Sequence, residues 1–120
     1  MLVKDWMSET VITVDVNDSM QEAMNRLKEN NISMLPVMKK GKIVGIVTDR
    51  DLKRASASDA NTLEVHELLF LITKIKVKDI MTENPVTLPF DFTVEEAAEV
   101  LLEKKISGAP VVDGEGNIIG

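Results

Sequence analysis

The 120-residue chain contains no cysteine and a single histidine, His66. Without cysteine there are no disulfides, thiol nucleophiles, zinc–thiolate sites or iron–sulfur clusters. With one imidazole there is no Ser–His or Cys–His pairing to spare, and neither a P-loop nor metal-ligand spacing occurs. The expectation is therefore a non-enzyme with no catalytic residues, no metal and no required cofactor. Long apolar runs are also missing. The longest, residues 68–72, has five residues, against the roughly 20 that a membrane-spanning helix needs. The opening Met1-Leu2-Val3-Lys4-Asp5-Trp6 carries an early acid and does not read as a signal peptide. A soluble, cytoplasmic protein with no membrane partner is expected.

Positive charge is in deficit, with fourteen Lys and Arg against twenty Asp and Glu and a formal net charge of −6. An acidic surface repels a phosphate backbone, so nucleic acid is not an expected partner. The remaining composition, 44% hydrophobic and 28% charged, is that of a globular domain. A chain of this length buries roughly two-thirds of its unfolded surface, enough for a real core.

The dominant feature is an internal repeat. Shifted by 74 positions, residues 3–38 match residues 77–112 at fourteen of thirty-six places without a gap. Val3-Lys4-Asp5 falls on Val77-Lys78-Asp79, Met7 on Met81, Thr13 on Thr87, Ile32-Ser33 on Ile106-Ser107 and Pro36-Val37 on Pro110-Val111. One extra residue then enters the second copy, and Gly41, Ile43 and Gly45 match Gly116, Ile118 and Gly120.

Each copy carries the same local signals. Thr10 to Val14 and Val86-Thr87-Leu88 are β-branched runs that predict first strands. Ser19-Met20-Gln21-Glu22 and Thr93-Val94-Glu95-Glu96 are capping boxes, and the apolar spacing behind them is helical. Leu35-Pro36-Val37-Met38 and Ala109-Pro110-Val111-Val112 predict second strands, with proline where a missing amide is tolerated. Lys40-Gly41 and Asp113-Gly114-Glu115-Gly116 are hairpin turns. Ile43-Val44-Gly45-Ile46-Val47 is a third strand, buried in character, and a helix restarts at Asp49.

The expected fold is α+β, sandwich-like, with two tandem β-α-β-β-α repeats related by a pseudo-twofold axis. Repeat 1 covers 1–60, a linker helix 61–76, and repeat 2 covers 77–120, where it is truncated inside its third strand. A fragment, or a further C-terminal domain, is the expectation that follows. The run of Ala and Ser from 55 to 62 reads as a polar break. Beyond it lies a helix too apolar to stand alone, expected to pack between the halves or against a second subunit.

The pattern V-K-D-x-M, then I-S-x-x-P-V, then I-V-G-I-V-T-D-R-D-L resembles a CBS-domain pair, also called a Bateman module, over essentially the whole chain. Residues 51–59 leading into His66-Glu67-Leu68-Leu69 resemble the acetoin-utilisation type within that family. The resemblance implies a regulatory module that dimerises and binds adenosine compounds (AMP, ADP, ATP or S-adenosylmethionine) in clefts between its repeats. By the same resemblance Asp51 meets the ribose and Thr48 the ribose or phosphate. The base rests on Thr13 and Val14 with Ser33, Met34, Leu35 and Pro36, and on Thr87 with Gly108, Ala109 and Pro110. Met34 departs from the glycine of that motif, whereas Gly108 keeps it and lets a ring approach the backbone.

Residues 48–51 have their own physical reading. A buried strand ending in Thr and entering a helix presents amides to an anion. Arg50 offers a planar fork of donors, and Asp51 is acceptor-only, suited to ribose hydroxyls. The spacing of Thr48 and Asp51 is equally that of a capping box, and capping alone accounts for both. Six of the fourteen basic residues lie between 39 and 54; a solvated face is the plain reading, and their position around residues 48–51 supports an anion site. His66 reads as structural or exposed, and Trp6 as a packing residue. A ligand-free dimerising scaffold is the alternative to the sensor.

Overall fold

The computed structural model describes residues 1–60 and 64–120. In chain order the elements are α1 (Val3–Trp6), β1 (Val14–Asp15), α2 (Met20–Glu29), β2 (Met34–Lys39), β3 (Lys42–Thr48), α3 (Asp49–Ala60) and α4 (Val65–Lys74). The second repeat follows as α5 (Val77–Ile80), β4 (Thr82–Glu83), β5 (Leu88–Pro89), α6 (Val94–Lys104) and β6 (Val111–Val112). Among the described residues no helix is long and apolar enough to cross a membrane.

The strands form one sheet of order β1-β2-β3-β4 and a two-stranded sheet β5-β6. The β2–β3 hairpin turns through Lys40 and Gly41, with φ of 51° and 78°. Two positive φ values in a two-residue loop give the turn that matches strand twist. Strand β1 is shorter than its β-branched run, because only Val14 and Asp15 pair with β2. Strand β5 likewise begins at Leu88 rather than at Val86. In both parallel ladders the next bond would be donated by the amide of Pro36 or Pro110, which proline lacks. Strand β3 is exposed at Lys42, half-buried at Ile43 and Val44, and buried from Gly45 to Val47.

Helix starts follow the capping signals. Thr93 and Glu96 close a full reciprocal box at 3.0 and 3.1 Å. Ser19 closes only half of one. Its hydroxyl accepts from the Glu22 amide at 3.1 Å, while the Glu22 carboxylate accepts from Arg26 instead. Helix α3 runs on to Ala60, so residues 55–60 are helical rather than a break. Alanine is the strongest helix former, and Ala55 packs against the core behind buried Leu52. The rest of that stretch, residues 61–62, lies outside the described residues, as does the boundary drawn at 61.

Two cores result, and the repeats exchange their opening segments to build them. Val77 is fully buried in the core of β1, β2, β3 and α2, with Ile80 and Met81 against it. Val3 is buried with Leu88, Ala97 and Val111, with Met7 against them. The backbone repeats the exchange: Leu2 bridges Thr93 and Lys76 bridges Ser19, two pairings that the 74-residue shift interconverts. Val77 donates to the Asp18 carbonyl and Val3 to that of Phe92, each at 2.8 Å. Gly45 serves the same contact, since a Cβ there would lie 2.6 Å from Met81 Sδ and 2.9 Å from the Thr82 carbonyl. Its mate Gly120 is likewise pressed on Met7 and Ser8.

The Cα radius of gyration is 15.5 Å, above the about 14 Å expected of one sphere-like domain of this length. Principal extents of 50 × 29 × 24 Å fit two lobes side by side. Helix α4 packs on α2 and α3 of the first lobe. It buries Ile72 and leaves Val65, Leu69 and Phe70 exposed.

Candidate ligand-binding cleft

The exchange brings the β3–α3 junction of the first repeat against the α6–β6 connection of the second. A cavity of about 260 Å³ lies between them, lined by Ser33, Met34, Thr48, Asp49 and Arg50 from one side and Lys105, Ile106 and Ser107 from the other. A second cavity of about 170 Å³ is mostly apolar, with Ile12, Ile32 and Pro36 facing Ala109 and Pro110. Met34 lines both. Its methyl lies 4.0 Å from where a Cβ on Gly108 would stand. Because Met34 and Gly108 are repeat mates, the large and small members of the pair meet at the pseudo-twofold axis. Met34 thus partitions the cleft.

The polar end is tightly organised. The Asp51 amide donates to Thr48 Oγ1 at 3.1 Å, and the Thr48 amide donates to Asp51 Oδ2 at 3.0 Å. The capping reading of these two residues is therefore realised. The Asp49 amide donates to the Ser33 carbonyl at 3.0 Å, tying the helix start to the entrance of β2. Two of the amides expected to await an anion are thus satisfied internally, a correction to the sequence reading. The threonine hydroxyl keeps its proton to donate, and Asp51 keeps Oδ1 as an acceptor.

A model of the CBS domain matches residues 3–58 and again 77–120. The chain belongs to the CBS-domain family. It is 36% identical over 120 residues to a CBS domain-containing protein of Dictyostelium discoideum, covering 99% of this chain and 83% of that one. The CBS domain pair of protein MJ0100, solved with 5′-methylthioadenosine and S-adenosyl-L-methionine, superposes with a TM-score of 0.83 at 35% identity, covering 100% of this chain and 90% of that one. The CBS-pair protein CBSX2 of Arabidopsis thaliana, solved with AMP, superposes at 0.78 and 34% identity, covering 99% and 87%. An inosine-5′-monophosphate dehydrogenase of Korarchaeum cryptofilum is 38% identical over 110 residues, but this chain spans only 20% of it.

Of the residues expected in the CBS site, Ser33, Met34, Thr48 and Arg50 line the polar cavity, and Met34, Pro36, Ala109 and Pro110 the apolar one. Gly108 meets them through Met34 and also lines a groove of the second lobe. Asp51 does not line the polar cavity and sits behind it as the cap. Val14 and Leu35 are sealed in the core, at 1% and 0% exposure. Thr13 and Thr87 are half-buried and line neither cavity. The Thr13 carbonyl is held by the Arg26 guanidinium.

Sequence reasoning missed Lys105, Asp49 and, in the apolar cavity, Ser8, Thr10, Val11 and Ile12 as lining groups. The last four carry no chemical signature. They reach the cleft because the proline-ended ladder releases them from the sheet. Among the described residues, the one grouping of potential metal ligands is Glu64, His66 and Glu67, all exposed, and none of them lines the cleft. His66 Nδ1 lies 3.5 Å from Glu64 there, a surface pairing.

Proposed function

We propose that this CBS pair is a regulatory module that binds an adenosine compound in the cleft between its repeats. The cavity shared by the β3–α3 junction and by residues 105–107 carries the reading, because a ligand there touches both repeats at once. Likeness to proteins solved with AMP, 5′-methylthioadenosine and S-adenosylmethionine supports the ligand class. Ribose is held by the Thr48 hydroxyl, which Asp51 positions from behind through the cap, and the base by the apolar cavity around Met34, Pro36 and Pro110. A ligand that fits one arrangement of the two lobes better shifts their population and reports to a partner. No turnover of ATP is expected, and a cytoplasmic location fits the role. Likeness to the acetoin-utilisation type rests on residues 51–59 and 66–69 alone.

The test is thermal unfolding against adenosine, AMP, ADP, ATP, S-adenosylmethionine and GTP. A ligand at a hundred times its dissociation constant adds about 2.7 kcal/mol, which moves the midpoint by several degrees in a domain of this size. Shifts with adenine compounds and none with GTP support the sensor. No shift with any compound refutes it in favour of a scaffold.

A homodimer belongs to the same reading. Met24, Leu27, Leu52 and Leu68 line an open apolar groove of about 830 Å³ between α2, α3 and α4, and Val65, Leu69 and Phe70 stand exposed beside it. Leu69→Glu with Phe70→Glu dissociates the dimer in sedimentation. Ile72 is unsuitable for this test because it is part of the core.

A further inference from the structure

One wall of the apolar cavity belongs to no strand. Ser8, Thr10, Val11 and Ile12 line it, and residues 8–13 lie outside both sheets. The matching segment of the second repeat is held by the sheet itself, because Thr82 and Glu83 pair with Ile46 and Gly45 of β3. In the first repeat the fastening comes from a side chain outside the cleft. The Arg26 guanidinium donates through Nη1 to the Thr13 carbonyl, between Ile12 and the start of β1.

Arg26 is itself fixed from two sides. Its Nε donates to Glu22 Oε1 at 3.1 Å, one turn earlier on α2, and its Nη1 lies 3.6 Å from Asp18 Oδ2. Glutamate on the N-terminal side of a cation at this spacing is the favourable order on a helix. Asp18 is anchored in turn, since its Oδ2 accepts from the Asp15 amide at 2.9 Å and its carbonyl from the Val77 amide at 2.8 Å. A planar fork of donors serves a carbonyl and two carboxylates at once, which a point charge on a flexible stem does poorly. The 74-residue shift sets Val100 in the place of Arg26. Val100 has no side-chain donor and packs on the second core. The strap therefore exists in one repeat only, the one whose opening segment lacks a strand partner.

We propose that Arg26 is a positioning residue for the cleft, holding residues 10–12 as the wall against which the base rests. The inference depends on the adenosine reading above. Arg26 lines neither cavity, so its effect on a ligand passes through the Thr13 carbonyl and the backbone joined to it.

Backbone nitrogen relaxation and calorimetric titration of adenosine and AMP test it together, on wild-type protein, Arg26→Gln, Arg26→Val and Arg26→Lys. Arg26→Val installs the residue that the second repeat carries at this place, so the helix is expected to stand. In Arg26→Gln and Arg26→Val the order parameters of Thr10, Val11 and Ile12 fall from about 0.85 toward about 0.6, while those of Ile106 and Ser107 hold. Both compounds then bind about tenfold more weakly, as befits the loss of one charge-assisted bond behind the wall. The ratio of their affinities stays constant, because the polar cavity is untouched. Arg26→Lys keeps a cationic donor for the carbonyl and restores most of the order and the affinity. Order parameters that do not change, or that fall evenly over both repeats, overturn the inference. A loosened wall with undiminished affinity also overturns it and leaves the adenosine reading intact. Absence of binding by both compounds in the wild type overturns the two together.

Discussion

Replacing Asp51 with alanine separates two roles that one carboxylate carries. One oxygen accepts from the Thr48 amide at 3.0 Å, and the Thr48 hydroxyl accepts from the Asp51 amide at 3.1 Å. Each bond satisfies a backbone donor at the junction of β3 and α3, where no intrahelical partner exists. Loss of a capping side chain costs about 1 kcal/mol, within a range of about 0.5–2. Thr48→Ala and Asp51→Ala are therefore each expected to destabilise the ligand-free protein by about 1 kcal/mol, or about 4 °C in midpoint. The double variant loses less than the sum by about 0.5 kcal/mol, because either bond positions the other. Asp51→Asn keeps an oxygen for the Thr48 amide and costs less than alanine. Urea unfolding followed by circular dichroism, without ligand, reads these values at a constant m-value. A ligand-free midpoint unchanged in Asp51→Ala would refute the cap and leave ligand contact as the carboxylate's sole role.

The exchanged opening segments make a second prediction. Val77→Ala removes a fully buried side chain from the first repeat's core and costs about 2 kcal/mol. A loss confined to signals from the second repeat would contradict the exchange. Asp113 supplies a pH test. The Asn117 amide above all holds its carboxyl below the ordinary value of 3.8; partial desolvation opposes it, and the Glu115 amide, the Asn117 side chain and the Gly116 amide add smaller lowering effects. A depressed folded-state value contributes stability that is present above the unfolded value and lost as pH falls through the folded one. The difference in urea midpoint between wild type and Asp113→Ala is thus constant down to about pH 4 and shrinks below it; a difference that grows on acidification would contradict the turn.

Much of this was legible in the residues. The 74-residue shift relates the two capping starts, the two proline-entered strands and the hairpin glycines, and the fold keeps them all. It does not reveal that Val3 and Val77 pack in each other's lobes, because a repeat specifies likeness and not which copy receives which segment. The truncated ladders could be read from Pro36 and Pro110, yet β-branched runs masked them. Helix α3 outlasted an apparent break because Ala and Ser tolerate a helix whose other face is anchored by Leu52. At the site, Thr48 and Arg50 follow from their place between strand and helix. Lys105 was invisible in sequence, since a lone lysine among lysines acquires meaning only when the fold sets it opposite Arg50. Asp51 was named for the ribose, but it first serves the backbone.

The most direct test of the central claim is a titration of isotope-labelled protein with AMP, followed by the backbone amide resonances. A ligand between the repeats moves the amides of Met34, Thr48 and Arg50 together with those of Lys105, Ile106 and Ser107, at one common affinity. Perturbations confined to a single repeat, or none at saturating AMP, would contradict the account.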